Sequence, residues 1–287
     1  MRIAIIGLGQ IGGSLARALR TRNVSAEIAA WSPTGDGPRR ALEAGAIDHA
    51  NASIEPALDG ADLVVLAGPA DAVIDRLPRL GRDGDLAGAL IAEATVTDVA
   101  STKADIVAAA ERAALPFVGG HPMAGTEGRG FEAADANLFE GRPWAVVPDR
   151  AARAADVERV EWLARVVGAV PLRIDPADHD SAVAAISHAP LVLSAALTEA
   201  VAGAPGWAGS DASRLAAGGW ASMTRLARGD ATMGAGILAT NRGPTADALR
   251  EVRARLDEWI ALLEAEPSTA GPDLRARLER ARSLLDA

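Results

Sequence analysis

Gly7-Leu8-Gly9-Gln10-Ile11-Gly12 is the stretch that most limits how this chain can fold. The apolar run at 2–6 precedes it, and helical spacing follows to about residue 21. Strand, glycine turn and helix together open a dinucleotide-binding βαβ unit. The first glycine permits a tight turn. The second lets a pyrophosphate approach the backbone, and the third lets the helix pack close. The free N–H groups of the helix N-terminus then face the phosphates. Gly7, Gly9, Gln10, Ile11 and Gly12 are therefore the candidate cofactor-binding residues. A glycine turn without a ligand is the plainer alternative, and the flanking strand and helix argue against it.

The alternation continues. Buried-type strands are expected at 27–31, 61–68, 89–94, 116–118, 143–147 and 169–174, with helices at 70–80, after 101, at 131–139 and at 156–167. Such a pattern builds a doubly wound, Rossmann-type sheet. From Asp175 onward only helical signals remain: 177–202, 210–216, a turn at Gly218-Gly219, 220–227 and a long helix after Gly234. The expected class is α/β, an N-terminal Rossmann-type sheet followed by an all-helical C-terminal domain. The boundary is expected between 1–174 and 175–287.

Doubly wound sheets bind ligands at the carboxyl ends of their strands. Ser101 and His121 both fall at such ends. Ser101 reads as a helix N-cap with Asp105 in the first turn. His121 sits in Gly119-Gly120-His121-Pro122-Met123-Ala124-Gly125-Thr126-Glu127 and is the chain's most plausible acid/base group.

At the end of the second strand an NAD enzyme commonly carries Asp or Glu for the ribose 2′-hydroxyl. Here the position is Ser32, followed by Pro33-Thr34, with Arg39 and Arg40 close behind. A neutral hydroxyl does not repel a 2′-phosphate. Ser32 is thus a cofactor-binding candidate, and NADP is favoured slightly over NAD. A solvated helix face explains Arg39 and Arg40 equally well.

Composition closes several routes. There is no cysteine, which excludes disulfides, thiol catalysis and thiolate metal sites. The four histidines include no ligand-spaced pair, so no metal is expected. A net charge of −9 without a basic stripe argues against nucleic acid, so an anionic substrate needs a local cationic pocket. The most membrane-like stretch, 181–204, is interrupted by Ser187, His188, Pro190 and Glu199, and reads as a buried helix and not a span. Met1 leads straight into a strand, leaving no room for a signal peptide, so a cytoplasmic protein without membrane contact is expected. Leu249, Val252, Leu256, Trp259 or Ile260, and Leu263 form an apolar stripe suited to the core or to a homodimer interface.

Taken together, GLGQIGGSL at 7–15, DVASTK at 98–103, GGHPMAGTE at 119–127, LFEGRPWAVVP at 138–148, HD at 179–180, SHAP at 187–190 and TRLA at 224–227 resemble the prephenate dehydrogenase family, including its arogenate-using relatives. The resemblance covers roughly 1–245, and GGHPMAGTE is its most specific piece. It implies an oxidative decarboxylation in tyrosine biosynthesis: hydride moves from a carbinol carbon to the nicotinamide, and CO2 leaves as the ring becomes aromatic. It further implies His121 as the base for the hydroxyl proton and Ser101 as a second partner of that hydroxyl. Arg225 would hold a substrate carboxylate and His188 would face the pocket. Thr126 and Glu127 lie beside the base, at the pocket mouth. His179 and His188 are nine residues apart, on opposite faces of a regular helix, so only one is expected in the site unless a break intervenes. His188 is the favoured one.

Two positions depart from the family pattern. Family members often have a second histidine where SHAPL has Leu191, and a tryptophan where Met233 is followed by Gly234. Both fall where the substrate's side chain is expected, which leaves prephenate, arogenate or an amino-substituted relative open. A related β-hydroxyacid dehydrogenase or imine reductase is the nearest alternative, but many of these use a lysine in the helical domain and no lysine follows Lys103. A redox-inactive NAD(P)-binding sensor would not need Ser101, His121 and Arg225 together.

Overall fold

The computed structural model describes residues 1–126 and 128–286. The first half alternates as expected: β1 Arg2–Ile6, α1 Gln10–Thr21, β2 Glu27–Trp31, α2 Asp36–Glu43, β3 His49–Ala50, α3 Glu55–Leu58, β4 Leu63–Leu66, α4 Ala70–Leu80, β5 Thr95–Asp98, α5 Ala104–Arg112 and β6 Phe117–Pro122. Then come β7 Pro143–Pro148, α6 Ala154–Val166 and β8 Val170–Arg173. Among the described residues they form one eight-stranded sheet, ordered β3-β2-β1-β4-β5-β6-β7-β8. Its pairs are parallel except β6 with β7. The order reverses between β1 and β4, the switch point at which such sheets bind ligands.

Period-two alternation sorts the strand residues into two apolar layers. Ile3, Ile5, Leu63, Val65 and Val118 pack under α1 and α6 with Leu15, Leu19, Val160 and Leu163. Ala4, Ile6, Val64, Leu66, Val96 and Phe117 pack under α4 and α5 with Val73, Leu77, Ile106 and Ala110. Each large aliphatic buried this way contributes about 1.5–3 kcal/mol. Two covered faces explain why the strands read as continuous apolar runs.

The rest is helical: α7 Pro176–Val183, a wide π-type turn at Ala184–His188, α8 Ala189–Ala202, α9 Asp211–Leu215, α10 Gly218–Thr224, α11 Ala231–Thr240, α12 Arg242–Glu264 and α13 Pro267–Ser283. The wide turn has a local cause. Pro190 has no N–H, and its ring collides with the carbonyl four residues back, at Ile186, so the regular ladder cannot continue.

Several expectations need correction. The strand expected at 89–94 lies at Thr95–Asp98. Its polar Thr95, Thr97 and Asp98 are buried, and Thr95 Oγ1 donates to Asp156 Oδ1 at 2.7 Å. Polar side chains with partners inside the sheet hid this strand from an apolar-run reading. Residues 131–139 hold one 3₁₀ turn, Phe131–Ala133, and no α-helix. Gly218-Gly219 starts α10 instead of forming a turn. The long helix after Gly234 is two helices, broken at Asn241 (φ −130°, ψ 40°), whose side chain turns into the interior. The expected buried helix at 181–204 buries only the side carrying Val183, Ala184, His188, Ala189 and Ser194, and leaves Ile186 exposed. Leu256, Ile260 and Leu263 of the apolar stripe are likewise exposed on the protomer.

Candidate active site

The glycine turn has the geometry its residues imply. Gly7 has φ +115°, and a Cβ there would meet Ala67 O at 2.4 Å. A Cβ on Gly12 would meet Gly7 O at 2.0 Å, so only glycine lets α1 pack this closely. Gly9, by contrast, faces open space, with nothing within 4 Å of an added Cβ. No side chain caps α1, which leaves its N-terminal N–H groups for an anion. A cleft of about 470 Å³ opens there, lined among others by Gly7, Gly9, Ser32, Arg40 and Arg76. Ser32 Oγ is buried without a hydrogen-bond partner. An open pyrophosphate cradle and an orphaned hydroxyl at the ribose position fit a dinucleotide. Of the arginines singled out in the sequence, Arg39 pairs with Asp36 and Glu43 on the helix surface. Arg40 pairs with Glu132 inside the cleft. Arg76, which the sequence did not flag, stacks 5.3 Å over Trp31.

The strand expected at 116–118 runs on through His121. His121 lies on β6, opposite Ala145 of β7, and is buried. Asp98 and Lys103 grip the residue before it. Asp98 Oδ1 accepts from Gly120 N at 3.0 Å, Lys103 Nζ donates to Gly120 O at 2.9 Å, and the two side chains pair with each other at 0% exposure. A Cβ on Gly119 would press on Lys103 Cδ at 3.0 Å, and one on Gly120 would strike Asp98 O at 2.4 Å. The glycines beside His121 therefore make room for this pair. Burial pushes Asp98 up and Lys103 down, and each opposes the other's shift. Burial first, then His179, Lys103 and His188, holds His121 well below its ordinary 6.5. His121 is thus a neutral imidazole at pH 7, as a proton acceptor must be.

The wide turn resolves the question of the two helix histidines. Nine residues of regular helix would set His179 and His188 on opposite faces, but the turn delays the face by about one residue, ~100°. Both turn inward. His179 Nε2 lies 2.9 Å from His121 Nδ1, with the rings edge to face. His188 is held differently. Asn241 Nδ2 donates to Asp180 O at 2.8 Å, which fixes its amide, and also reaches His188 Nδ1 at 3.0 Å. His188 Nδ1 therefore accepts, and its Nε2 carries the hydrogen. Burial lowers His188 as well. The regular-helix expectation that only one of the two faces inward does not hold, and of the two His179 is the one that touches His121.

The other expected residues fall as follows. Ser101 is half-buried at the carboxyl end of β5, beside β6, but it does not cap α5. The cap position is Lys103, and the N–H groups of Lys103 and Ala104 are taken by Asp180 at 2.8 Å each. Gln10 spends its side chain on Thr126: Thr126 N donates to Gln10 Oε1 at 3.0 Å, and Gln10 Nε2 reaches Thr126 Oγ1 at 2.5 Å. Thr126 is exposed and clasped to the glycine turn. Glu127 lies outside the described residues. Arg225 is exposed at the end of α10. Ala227 N donates to Ser194 Oγ on α8, anchoring the following turn at 3.0 Å. Asp98, Asp180 and Asn241 were missed. HD at 179–180 was on the page as a motif, but a regular-helix assumption pointed His179 away, and only the fold brings Asn241 near it.

A dinucleotide cleft at the sheet's switch point, with a neutral histidine at the same edge, defines a Rossmann-type NAD(P)-dependent dehydrogenase. Residues 15–173 match the model for the prephenate dehydrogenase nucleotide-binding domain, and residues 175–279 that for the prephenate dehydrogenase dimerization domain. A prephenate dehydrogenase of Bacillus subtilis is 31% identical over 90% of this chain and 67% of its own length. The Synechocystis arogenate dehydrogenase structure superposes with a TM-score of 0.83 at 31% identity, covering 100% and 99% of the two chains. The A. aeolicus prephenate dehydrogenase in complex with hydroxyphenyl propionate and NAD+ gives 0.89 at 27% identity, covering 99% and 98%. The chain belongs to the prephenate dehydrogenase family. Its activity is the oxidative decarboxylation of prephenate or arogenate with hydride transfer to NAD(P), in tyrosine biosynthesis. The hydroxyacid dehydrogenase and sensor alternatives fall away.

Proposed function

We propose that His121 accepts the proton of the substrate's ring hydroxyl as hydride leaves the same carbon. The observation that carries this is a buried, neutral imidazole near the carboxyl end of β6, on the side of the sheet where β1 ends in the glycine turn. Without a base the departing hydride leaves positive character on the carbinol carbon, and a positioned imidazole contributes about 10²–10⁴-fold. Ser101 hydrogen-bonds the same hydroxyl and keeps it in line. As the carbonyl forms, the ring carboxylate is lost as CO2, its bonding pair passes through the ring to the carbonyl oxygen, and that oxygen takes a proton back from His121 as the ring becomes aromatic.

Arg225 holds a carboxylate of the substrate, and His188 offers its Nε2–H as a neutral donor. Thr126 stands at the pocket mouth. The backbone of Gly7, Gly9, Ile11 and Gly12 and the Ser32 hydroxyl hold the dinucleotide, which supplies the hydride acceptor when bound. Gln10 contributes its backbone only. NADP is preferred over NAD, because Ser32 brings no carboxylate to the 2′-position and the Arg76 Nε is buried without a partner. Residues 1–174 act as the nucleotide domain. Residues 175–287 cover the site and pair with a second copy through the apolar surface of Ile186, Leu256, Ile260 and Leu263.

The direct test follows reduced nicotinamide by absorbance with NAD or NADP and prephenate or arogenate. Turnover is expected with one of these four pairs, fastest with NADP. No signal with any pair would overturn the proposal.

A further inference from the structure

Behind His121 runs a buried chain of three side chains. His121 Nδ1 meets His179 Nε2 at 2.9 Å, and His179 Nδ1 meets Asp180 Oδ1 at 2.7 Å. His179 and Asp180 are each 2% exposed, so no water competes for these contacts. The far end of the chain sets its direction. Asp180 Oδ1 accepts from Lys103 N and Oδ2 from Ala104 N, both at 2.8 Å. A carboxylate at a helix N-terminus, taking two backbone N–H groups, acts there as an acceptor. The hydrogen between Asp180 and His179 is therefore on His179 Nδ1. A neutral imidazole that donates through Nδ1 accepts through Nε2. The hydrogen between the two rings then belongs to His121 Nδ1.

We infer that Asp180 and His179 are positioning residues that hold His121 in its Nδ1–H tautomer, with its Nε2 lone pair turned to the reacting hydroxyl. The inference rests on His121 being the base. Neither residue touches the substrate in this scheme. Asp180 orients His179, and His179 orients His121. When His121 takes the hydroxyl proton, its Nδ1–H bond strengthens against His179, and the charge is spread towards Asp180. Reversed, with hydrogen on His179 Nε2, His121 would carry hydrogen on its own Nε2 and have nothing to accept with. Among the described residues, Asp98 and Lys103 at this edge bind each other and the Gly120 peptide. They fix the strand that carries His121 and leave its ring nitrogens to His179 and the substrate.

The tautomer is measurable without turnover. In protein labelled with nitrogen-15 histidine, with the four histidines assigned by substitution, nitrogen shifts at neutral pH report which ring nitrogen carries hydrogen. His121 is expected protonated at Nδ1 and bare at Nε2, and His179 likewise. His121 protonated at Nε2 would overturn the inference, whether or not His121 is the base. Failure of the base assignment shows separately, as turnover that survives His121→Asn. Kinetics give a second arm. His179→Leu leaves the His121 Nδ1–H without an acceptor, and kcat is expected to fall about 10²–10³-fold. Cofactor Kd should stay within about twofold, since the cleft is untouched. In His179→Gln the Oε1 can take that hydrogen, and at least about tenfold of the loss should return. Equal losses in the two variants, with the His121 shifts unchanged, would assign His179 a packing role only.

Discussion

Leu191 and Gly234 are neighbours: a Cβ added at Gly234 would meet Leu191 Cδ2 at 3.5 Å. Leu191 stands on α8 and Gly234 on α11, so the two departures from the family pattern fall at one place and not two. Where the family pattern often has a histidine and a tryptophan, this chain has a leucine and a glycine. The pair sets a leucine side chain against a bare Cα, and neither side chain can donate a hydrogen bond.

Leu191→His restores a donor there. The side-chain carbonyl of prephenate can accept a hydrogen bond where the ammonium of arogenate cannot. The ratio of kcat/KM for prephenate over arogenate is expected to rise about tenfold, the scale of one pocket contact. An unchanged ratio would move the substrate's side chain away from α8 and α11.

His121→Asn removes the base while keeping a residue of similar polarity on β6. Turnover is expected to fall about 10²–10⁴-fold, the range of a positioned base. Binding of the cofactor, followed by fluorescence or calorimetry, should be unchanged. Turnover within a few-fold of the parent would exclude His121 as the proton acceptor.

Acid should weaken both activity and stability through the same residue. Burial lowers the folded-state values of His121 and His188 below the ordinary 6.5. Above that value both states are neutral and nothing is gained or lost. As pH falls below it, the unfolded chain binds protons first, so stability drops until the lowered folded values are passed. Denaturant midpoints at pH 7.5 and pH 5.5 should therefore differ less in His121→Asn than in the parent. The acid limb of kcat/KM should also lie below the pH of a free imidazole. An acid limb above it would contradict a base lowered by burial.

How much of this was legible in the sequence depended on whether a signal was local. The glycine turn was fully readable, because Gly7, Gly9 and Gly12 act through backbone conformation and close approach within one βαβ unit. His121 was readable as chemistry, but its strand was expected to stop at 118, since two glycines before a histidine look like a break. They are in fact the space left for Lys103 and Asp98 across the sheet, a fact of packing between segments. His179 was misjudged because helical periodicity assumes an unbroken ladder, and Pro190 breaks it. Asn241 carried no signal at all, since its role exists only once α7, the wide turn and α12 are assembled.

Cofactor choice should answer to Ser32 and Arg76. Ser32→Asp places a carboxylate where it can hold a ribose 2′-hydroxyl and repel a 2′-phosphate. The NADP-to-NAD ratio of kcat/KM is expected to fall about 10²-fold, the scale of a like-charge clash of a few kcal/mol. Arg76→Ala should lower it about tenfold, through loss of one charge-assisted hydrogen bond. A parent enzyme that strongly prefers NAD, with Arg76→Ala leaving the ratio unchanged, would refute this reading of the cleft.

Gln10 gives a last separation, between the cofactor and the segment that follows the base. Its backbone belongs to the glycine turn, while its amide holds Thr126 through two hydrogen bonds. Arg129 continues the same segment across to Asp230 at the start of α11, at 3.1 Å. Thr126 is thus tied to the nucleotide domain and Arg129 to the helical domain. Gln10→Ala cuts the first tie and leaves every backbone N–H of the turn in place. Cofactor Kd should stay within about twofold, while substrate KM rises roughly 2–10-fold, the worth of a net hydrogen bond. Should the cofactor Kd rise instead with KM unaffected, the Gln10 side chain would belong to the dinucleotide site, and the segment after His121 would not depend on it.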